Sequence, residues 1–183
     1  LPWAIGQGFA QSVEEVCALA GQTPDAGGVS VLPALHGLGT PHNNPTASVA
    51  VWGRSATTTA AHLARAVLEG VALRMAEIVD LAVTHHPIDP TTALPVDGGL
   101  TRSDAFCQIL ADLLARPVTR LHQVEATAWG AARAGAQGVG VEIADSTDFC
   151  QRFNPTLTPT EARQRLHQWQ AQTLNFSQKK DKS

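Results

Sequence analysis

Cysteine is scarce in this sequence, and long apolar runs are missing. The three cysteines, Cys17, Cys107 and Cys150, lie far apart and form no Cys-x-x-Cys pair. This spacing argues against a disulfide framework or a zinc site and favours a reducing, cytoplasmic environment. No apolar run approaches the length of a membrane-spanning helix, and the first residues lack the basic-then-apolar pattern of a signal peptide.

An excess of one charge is also missing. The 13 basic and 16 acidic residues give a formal net charge of −3. A charge balance this close to neutral provides no strong field for nucleic acid and no polybasic strip for a membrane surface. We therefore expect neither a nucleic acid nor a membrane as a partner.

The histidines do not form a convincing metal-binding pattern. His36 and His42 flank one loop, and His85 and His86 precede Pro87. A protein metal site needs three or four converging ligands, and the spacing supplies no third ligand near either pair. We expect surface or capping histidines and no metal site.

The length and hydrophobic content indicate one domain with a sizeable core. The chain has 183 residues, of which 44% are hydrophobic. It begins LPWAIGQGF without an initiator methionine, which suggests a piece of a longer polypeptide. We assign residues 1–176 to the domain and expect the polar segment 177–183, SQKKDKS, to be disordered.

Helical and strand patterns alternate along most of the chain. Helices are predicted over residues 12–21, 60–83, 103–117, 125–140 and 158–174, and strands over residues 27–35, 93–99 and 118–122. This order indicates an α/β fold with parallel pairing in at least part of the sheet. We expect the strand with Leu94 and Val96 to be central and buried, with the helices of residues 62–83 and 104–115 packed on that sheet.

Individual residues mark the ends and faces of these helices. Ser12 with Glu15, and Thr158 with Glu161, have the spacing of capping boxes. In the longest helix the apolar positions recur at nearly the helical period and predict one buried face, formed by Leu63, Val67, Val71, Ile78 and Leu81.

The stretch LPVDGGLTRSD, residues 94–104, has two glycines where a strand meets a helix. Gly98 and Gly99 would let a ligand's ribose or phosphate approach bare backbone, beside the positive end of the next helix. Glycine at such a junction can equally serve the geometry of the turn alone. The pair by itself favours this second, structural interpretation.

Four motifs in one order make a ligand site more specific. The segments LPALHGLGTPHNNP, HLARAVLEGVAL, VDGGLTRSD and EATAWGAARAGAQGVG resemble the loop, signature helix, adenosine-contacting turn and small-residue helix of the FGGY family of carbohydrate kinases. The segment FNPTLTP with the following helix is similar to the usual ending of the family. The GLGTP form favours the glycerol kinase-like branch, because pentose kinases more often resemble GERTPH at this point.

The resemblance implies a fold and a reaction. Members have the actin-like ATPase fold, with two ribonuclease-H-like lobes that close on ATP, Mg²⁺ and a sugar or polyol and transfer the γ-phosphate. This chain resembles only the later, nucleotide-side part of the second lobe. The carboxylate base and the sugar-binding lobe would then precede Leu1, so no residue here is assigned as catalytic and this chain alone is expected to be inactive.

The resemblance also implies residues beside the nucleotide, ATP or ADP. Gly98 and Gly99 match the backbone pair next to the adenosine, with Leu100 framing the turn. Ser103 stands where the glycerol kinase pattern has an asparagine that helps to hold the nucleotide. A serine hydroxyl still donates and accepts hydrogen bonds, although its side chain is shorter.

The chain departs from the family in one loop. At residues 42–49, HNNPTASV replaces a segment that in the relatives contains an aromatic pair, an aspartate and an arginine. An acid and an arginine are therefore lost together. This leaves two alternatives to a kinase lobe: a degenerate lobe that acts as a binding or regulatory module, and half of a split protein that is active only with its partner.

Open sheet edges and apolar lobe contacts would also favour a homo-oligomer.

Overall fold

The structure, a computed structural model, describes residues 2–121, 126–142 and 149–180. Its elements in chain order are α1 (Pro2–Gly6), α2 (Val13–Ala20), β1 (Ser30–Leu32), β2 (Ala50–Trp52), α3 (Ala60–His85), β3 (Leu94–Val96), a 3-10 turn (Gly99–Arg102), α4 (Asp104–Leu114), β4 (Val118–Leu121), α5 (Ala126–Gly138), β5 (Phe149–Phe153) and α6 (Pro159–Lys180). The predicted α/β alternation is confirmed. The sequence patterns missed α1, β2 and β5.

The described strands form two small sheets. Antiparallel β1 and β2 form one of them, and the other has the order β3-β4-β5, with β3 parallel and β5 antiparallel to β4. The β3–β4 pair confirms the prediction of parallel pairing.

The prediction that β3 is central is wrong within the described residues, where β4 is the central strand and β3 is an edge. Leu94 donates its N–H to Pro117 of the segment leading into β4, at 2.8 Å. Because successive residues of a strand point their backbone groups to opposite sides, the nitrogen of Pro95 faces the open side. Proline has no N–H to donate, which suits an edge strand.

The 26-residue helix α3 begins at a capping box and packs against α2, α4 and β1. The Thr59 hydroxyl accepts the His62 N–H, and the His62 ring accepts the Thr59 N–H. Small residues dominate the buried face, including Ala64, Gly70 and Ala72. Such residues let neighbouring backbones approach closely.

The predicted buried face of α3 is partly wrong. Val67 is buried, but Ile78 is 43% exposed and Leu81 is 37% exposed. None of residues 78–85 is buried, because this end of the helix extends beyond the elements that cover its first half. The predicted helical period is correct, but the helix contacts the core over a shorter length than predicted.

The predicted placement of both helices on one sheet is only half right. α4 packs on β4 and β5, whereas α3 packs on β1 and on α4. Ser103 is the N-cap of α4 and Ala115 is its C-cap, with the left-handed dihedrals φ 48° and ψ 37°. Pro117 follows two residues later and prevents continuation of the helix.

The last helix closes over α3 and β1. The predicted capping box is present, because Glu161 accepts the Thr158 N–H at 2.8 Å and donates its own N–H to the Thr158 hydroxyl at 3.3 Å. The buried indole of Trp169 donates to the Val31 carbonyl of β1 at 2.9 Å. α6 continues to Lys180, so residues 177–180 of the segment expected to be disordered are helical, and residues 181–183 lie outside the described residues.

We predict that Gly70→Ala destabilises the fold. A Cβ at Gly70 would lie 2.4 Å from the Val31 carbonyl oxygen, closer than van der Waals contact allows. Relieving the overlap requires a backbone shift between α3 and β1, which should cost about 1–3 kcal/mol in the free energy of unfolding, measured by urea titration. The control is Gly135→Ala in α5, where nothing lies within 4 Å; it should be neutral or stabilising by up to about 1 kcal/mol. Equal effects of the two substitutions would contradict the close contact.

Candidate functional site

The glycine pair differs in geometry from one residue to the next. Gly98 has φ +95°, a conformation that residues with a Cβ rarely adopt. Its carbonyl accepts the Thr101 hydroxyl at 2.7 Å and the Thr101 N–H at 3.1 Å, which closes the turn. Gly99 has no positive φ, and a Cβ there would meet nothing within 4 Å. The turn therefore requires glycine at position 98 for its own geometry, but not at position 99.

Ser103 connects this turn to α4. Its hydroxyl oxygen accepts the Phe106 N–H at 3.2 Å as the N-cap, and its own N–H donates to the Leu100 carbonyl at 3.1 Å. The hydroxyl proton remains available to a further acceptor. Ser103 is thus held in place by the helix that follows it.

A cleft of about 820 Å³ separates this turn from α2. Gly99, Arg102 and Ser103 line one side, and residues of the α2 side, among them Glu14, Cys17 and Gln22, line the other. Two of the four residues predicted beside a nucleotide, Gly99 and Ser103, therefore face one space. Gly98 and Leu100 do not line the cleft, and Leu100 packs against the core instead.

The cleft also contains residues that the sequence patterns did not indicate. Glu14, Cys17 and Gln22 lie about 80 residues before the glycine turn, and no local motif relates them to it. Only the packing of α2 against α4 brings the two segments together. Sequence spacing alone holds no signal for such a pairing.

Charges of opposite sign line the two sides of the cleft. Hydrogen bonds from its own backbone N–H and from the Ser12 hydroxyl lower the pKa of Glu14, and the positive charge of Arg102 lowers it slightly further. Glu14 is therefore ionised at neutral pH and accepts hydrogen bonds. The cleft offers a carboxylate acceptor on one side and a guanidinium donor on the other.

Two cysteines near this region are chemically different. Cys107 is buried, and its thiol donates to the Thr101 carbonyl at 3.2 Å. Burial raises the pKa of Cys107 to about 11, so its thiol is a packing group that supports the turn. Cys17 is half-buried and lines the cleft.

The altered loop at residues 42–49 is closed by hydrogen bonds of its own. The Asn44 side-chain oxygen accepts the Thr46 N–H at 3.0 Å, the Thr46 hydroxyl at 2.8 Å and the Ala47 N–H at 3.1 Å. These three bonds hold the loop without the aspartate and arginine of the resembling segments.

A buried glutamate anchors the same loop to the core. Glu77 is 5% exposed and pairs with His42 at 2.9 Å and with Arg74. Gln170 of α6 also donates to it at 3.1 Å, and Arg74 donates to the Thr40 carbonyl at 2.9 Å. His42 is therefore a structural partner of Glu77.

The described part of the chain contains no group of three or more His, Cys, Asp or Glu side chains that could hold a metal ion. The same residues include no helix whose length and apolar content would let it cross a bilayer.

Two solved sugar kinases have an arrangement similar to that of this chain. Glycerol kinase from Plasmodium falciparum, crystallised with ADP, superposes with a TM-score of 0.81 at 24% identity, over 95% of this chain and 36% of that one. Xylulose kinase from Rhodospirillum rubrum superposes with a TM-score of 0.74 at 29% identity, over 96% of this chain and 36% of that one. The chain thus has part of an actin-like ATPase fold of the sugar kinase type.

Sequence comparison is more specific. The C-terminal domain model of the FGGY family of carbohydrate kinases matches residues 6–139. Glycerol kinase from Methylibium petroleiphilum is 41% identical over 165 residues, which are 85% of this chain and 33% of the relative. Glycerol kinase from Thermus brockianus is 45% identical over 161 residues, with coverages of 88% and 31%. The chain belongs to the FGGY family of carbohydrate kinases, and it spans about a third of the length of these relatives.

We predict that Cys17 reacts with iodoacetamide much faster than Cys107 in the folded protein. Because the pKa of Cys107 is about 11, only about one in a thousand Cys107 side chains is a thiolate at pH 8. Peptide mass spectrometry of a Cys150→Ser background measures both rates, and denatured protein provides the control in which both thiols react. Comparable rates in the folded state would contradict the burial of Cys107.

Proposed function

We propose that this chain is the nucleotide-side part of an ATP-dependent, glycerol kinase-like carbohydrate or polyol kinase, and that the adenosine of ATP binds in the cleft between α2 and the Gly99–Ser103 turn. The observation that carries the proposal is the open backbone at Gly99. It faces a cleft of about 820 Å³ although nothing in the turn itself requires a glycine there. The ADP in the crystals of the P. falciparum relative supports the choice of ligand.

The residues of the cleft fit a nucleoside. Missing a Cβ, Gly99 lets a ribose or base lie against its backbone. The free proton of the Ser103 hydroxyl can be donated to a ligand oxygen or nitrogen, and the Glu14 carboxylate can accept a proton from an amino or hydroxyl group. Ordered positions of these groups matter because phosphoryl transfer depends mainly on positioning and electrostatic stabilisation.

The remaining chemistry is proposed to come from outside these residues. Mg²⁺ neutralises phosphate charge in such reactions, and the described residues offer no cluster of carboxylates for it. We place the protein ligands of Mg²⁺, the base that accepts the hydroxyl proton, and the sugar or polyol site in the part of the kinase that lies outside this chain. The acceptor that we favour is glycerol or a related polyol, because the curated relatives named above are glycerol kinases.

One observation favours a second candidate, a lobe that binds nucleotide without taking part in transfer. The loop at residues 42–49 lacks the acid and arginine of the resembling segments, although Asn44 and Glu77 keep it ordered. Nucleotide binding without phosphorylation by the intact protein would support this candidate over the kinase. An active complex formed only with a separate polypeptide would instead support the split-protein alternative.

We predict that the 183-residue chain alone phosphorylates no polyol. The proposed base and acceptor site are absent from it, and a bound nucleotide without a positioned acceptor gains little rate. A coupled ADP-release assay with glycerol and a panel of sugars measures this, with a bacterial glycerol kinase as the positive control. Clear turnover by the purified chain would show that the catalytic groups lie within it.

We predict that Gly99→Val in the intact protein weakens ATP binding much more than it lowers stability. The added Cβ would extend into open space, and without a positive φ at this position the backbone is not strained. The methyl groups would occupy the cleft, and excluding a ribose removes much of a nucleotide's affinity. Calorimetric titration of ATP and urea midpoints measure the two effects.

The matched control for this experiment is Gly6→Val. Gly6 is exposed at the end of α1, and a Cβ there also meets nothing within 4 Å. The control should leave ATP affinity unchanged. If folded Gly99→Val binds ATP as tightly as Gly6→Val does, the cleft is not the adenosine site.

A further inference from the structure

Arg116 is a buried cation without a carboxylate partner among the described residues. It follows the left-handed Ala115 at the end of α4 and is 6% exposed. Among the described residues its side chain makes one hydrogen bond, from Nη2 to the Ile88 carbonyl at 3.3 Å, and it forms no ion pair with an Asp or Glu side chain there. Burying an unpaired charge costs folding free energy, so we looked for a group that could pair with Arg116.

Arg116 lines a cavity. Every fully buried side-chain nitrogen and oxygen among the described residues has a hydrogen-bond partner, so the nitrogens of Arg116 that lack one are not fully enclosed. Arg116 lines a pocket of about 180 Å³ between the second half of α3, the end of α4 and the first turns of α6. A ligand in this pocket would therefore lie beside Arg116.

The walls of the pocket combine apolar and charged side chains. Val79 and Val83 of α3, Leu114 of α4 and Leu166 of α6 supply carbon surface, and Arg163 of α6 adds a second guanidinium. This combination suits a molecule with an anionic head and a short carbon body. An enclosed cavity of about 150 Å³ holds benzene, so the part of a ligand that lies inside this pocket would have about six to eight non-hydrogen atoms.

Acidic groups near the pocket do not neutralise Arg116. Asp80 lines the pocket but is exposed. The pKa of Asp89 is lowered mainly by hydrogen bonds from Thr91 and to a small extent by Arg116, and Asp89 is fully exposed. Solvent screens both carboxylates, whereas Arg116 is only 6% exposed.

We propose that the pocket between α3, α4 and α6 binds a small organic anion, whose carboxylate or phosphate head pairs with Arg116 and whose carbon body contacts Val79, Val83 and Leu166. This site lies at the opposite end of α4 from the cleft between α2 and the Gly99–Ser103 turn, and the proposal does not depend on kinase activity. Binding would link the end of α4 to the start of α6 and stabilise the folded state.

The test is ligand-dependent stability of the full chain. Urea midpoints are measured with increasing sodium butyrate, methyl phosphate or inorganic phosphate, each against sodium chloride at the same ionic strength. We expect a saturable increase, so that an anion at ten times its dissociation constant raises the folded-to-unfolded ratio about 11-fold. We expect butyrate or methyl phosphate to stabilise the chain more than inorganic phosphate does, and equal stabilisation by all three would contradict the contact between the carbon body and the pocket.

Two variants remove the site in independent ways. Arg116→Met removes the cation and should abolish the anion-specific shift without lowering stability in chloride, because an apolar side chain suits the pocket better than an unpaired charge. Val83→Phe keeps Arg116 but fills the pocket from the exposed end of α3, and it should also abolish the shift. Arg152→Met, at an exposed arginine of β5, is the control and should keep the full shift.

The proposal is overturned if no anion stabilises the wild-type chain beyond chloride. It is equally overturned if the shift persists in Arg116→Met or in Val83→Phe. A loss of the shift in Arg152→Met as well would show a general charge effect and would also contradict a specific site.

Discussion

The close approach of α3 to β1 at Gly70 is the constraint on which the rest of the structure depends. The helix can lie this near only because position 70 has no side chain, and the carbonyl of Val31 that limits the approach also accepts the Trp169 indole. One backbone group thus sets the spacing of α3, β1 and α6. Since α2 and α4 both pack on α3, α3 also sets the distance between them.

The candidate nucleotide cleft follows from that arrangement. α2 and α4 both lie against α3, and the Gly99–Ser103 turn precedes α4, so the turn faces the side of α2 that carries Glu14 and Cys17. The turn is itself rigid, because Gly98, Thr101 and Ser103 close it with hydrogen bonds. A rigid turn opposite a helix side positions few groups, but it positions them without reorganisation when a ligand enters.

Much of the fold was predictable because local patterns determine it, including the capping box at Thr158 and the parallel β3–β4 pair. At Ser12 only half of the predicted capping box forms, because the Ser12 hydroxyl accepts the Glu15 N–H but the Glu15 carboxylate accepts the Gln11 N–H. The short strands β2 and β5 were missed because three to five residues hold too little periodicity, and the edge position of β3 depends on pairing that no local pattern records. At the candidate site, a sequence motif predicted Gly99 and Ser103, and both residues line one cleft. Cys17 and Arg116 could not be predicted, because their surroundings are made by segments far apart in sequence.

The central claim is that adenosine occupies the cleft between α2 and the Gly99–Ser103 turn. The most direct test is whether bound nucleotide protects Cys17 from alkylation. The alkylation rate of Cys17 in the intact protein is measured with and without MgATP, with Cys107 and Cys150 replaced by serine or alanine in a variant shown to fold. Cys17 lines the same cleft as Gly99, so saturating MgATP should slow its modification at least about tenfold, as expected when ligand occupancy exceeds about 90%. Magnesium tripolyphosphate, which lacks the nucleoside, should not protect it. An unchanged rate under conditions in which calorimetry shows bound ATP would contradict the account.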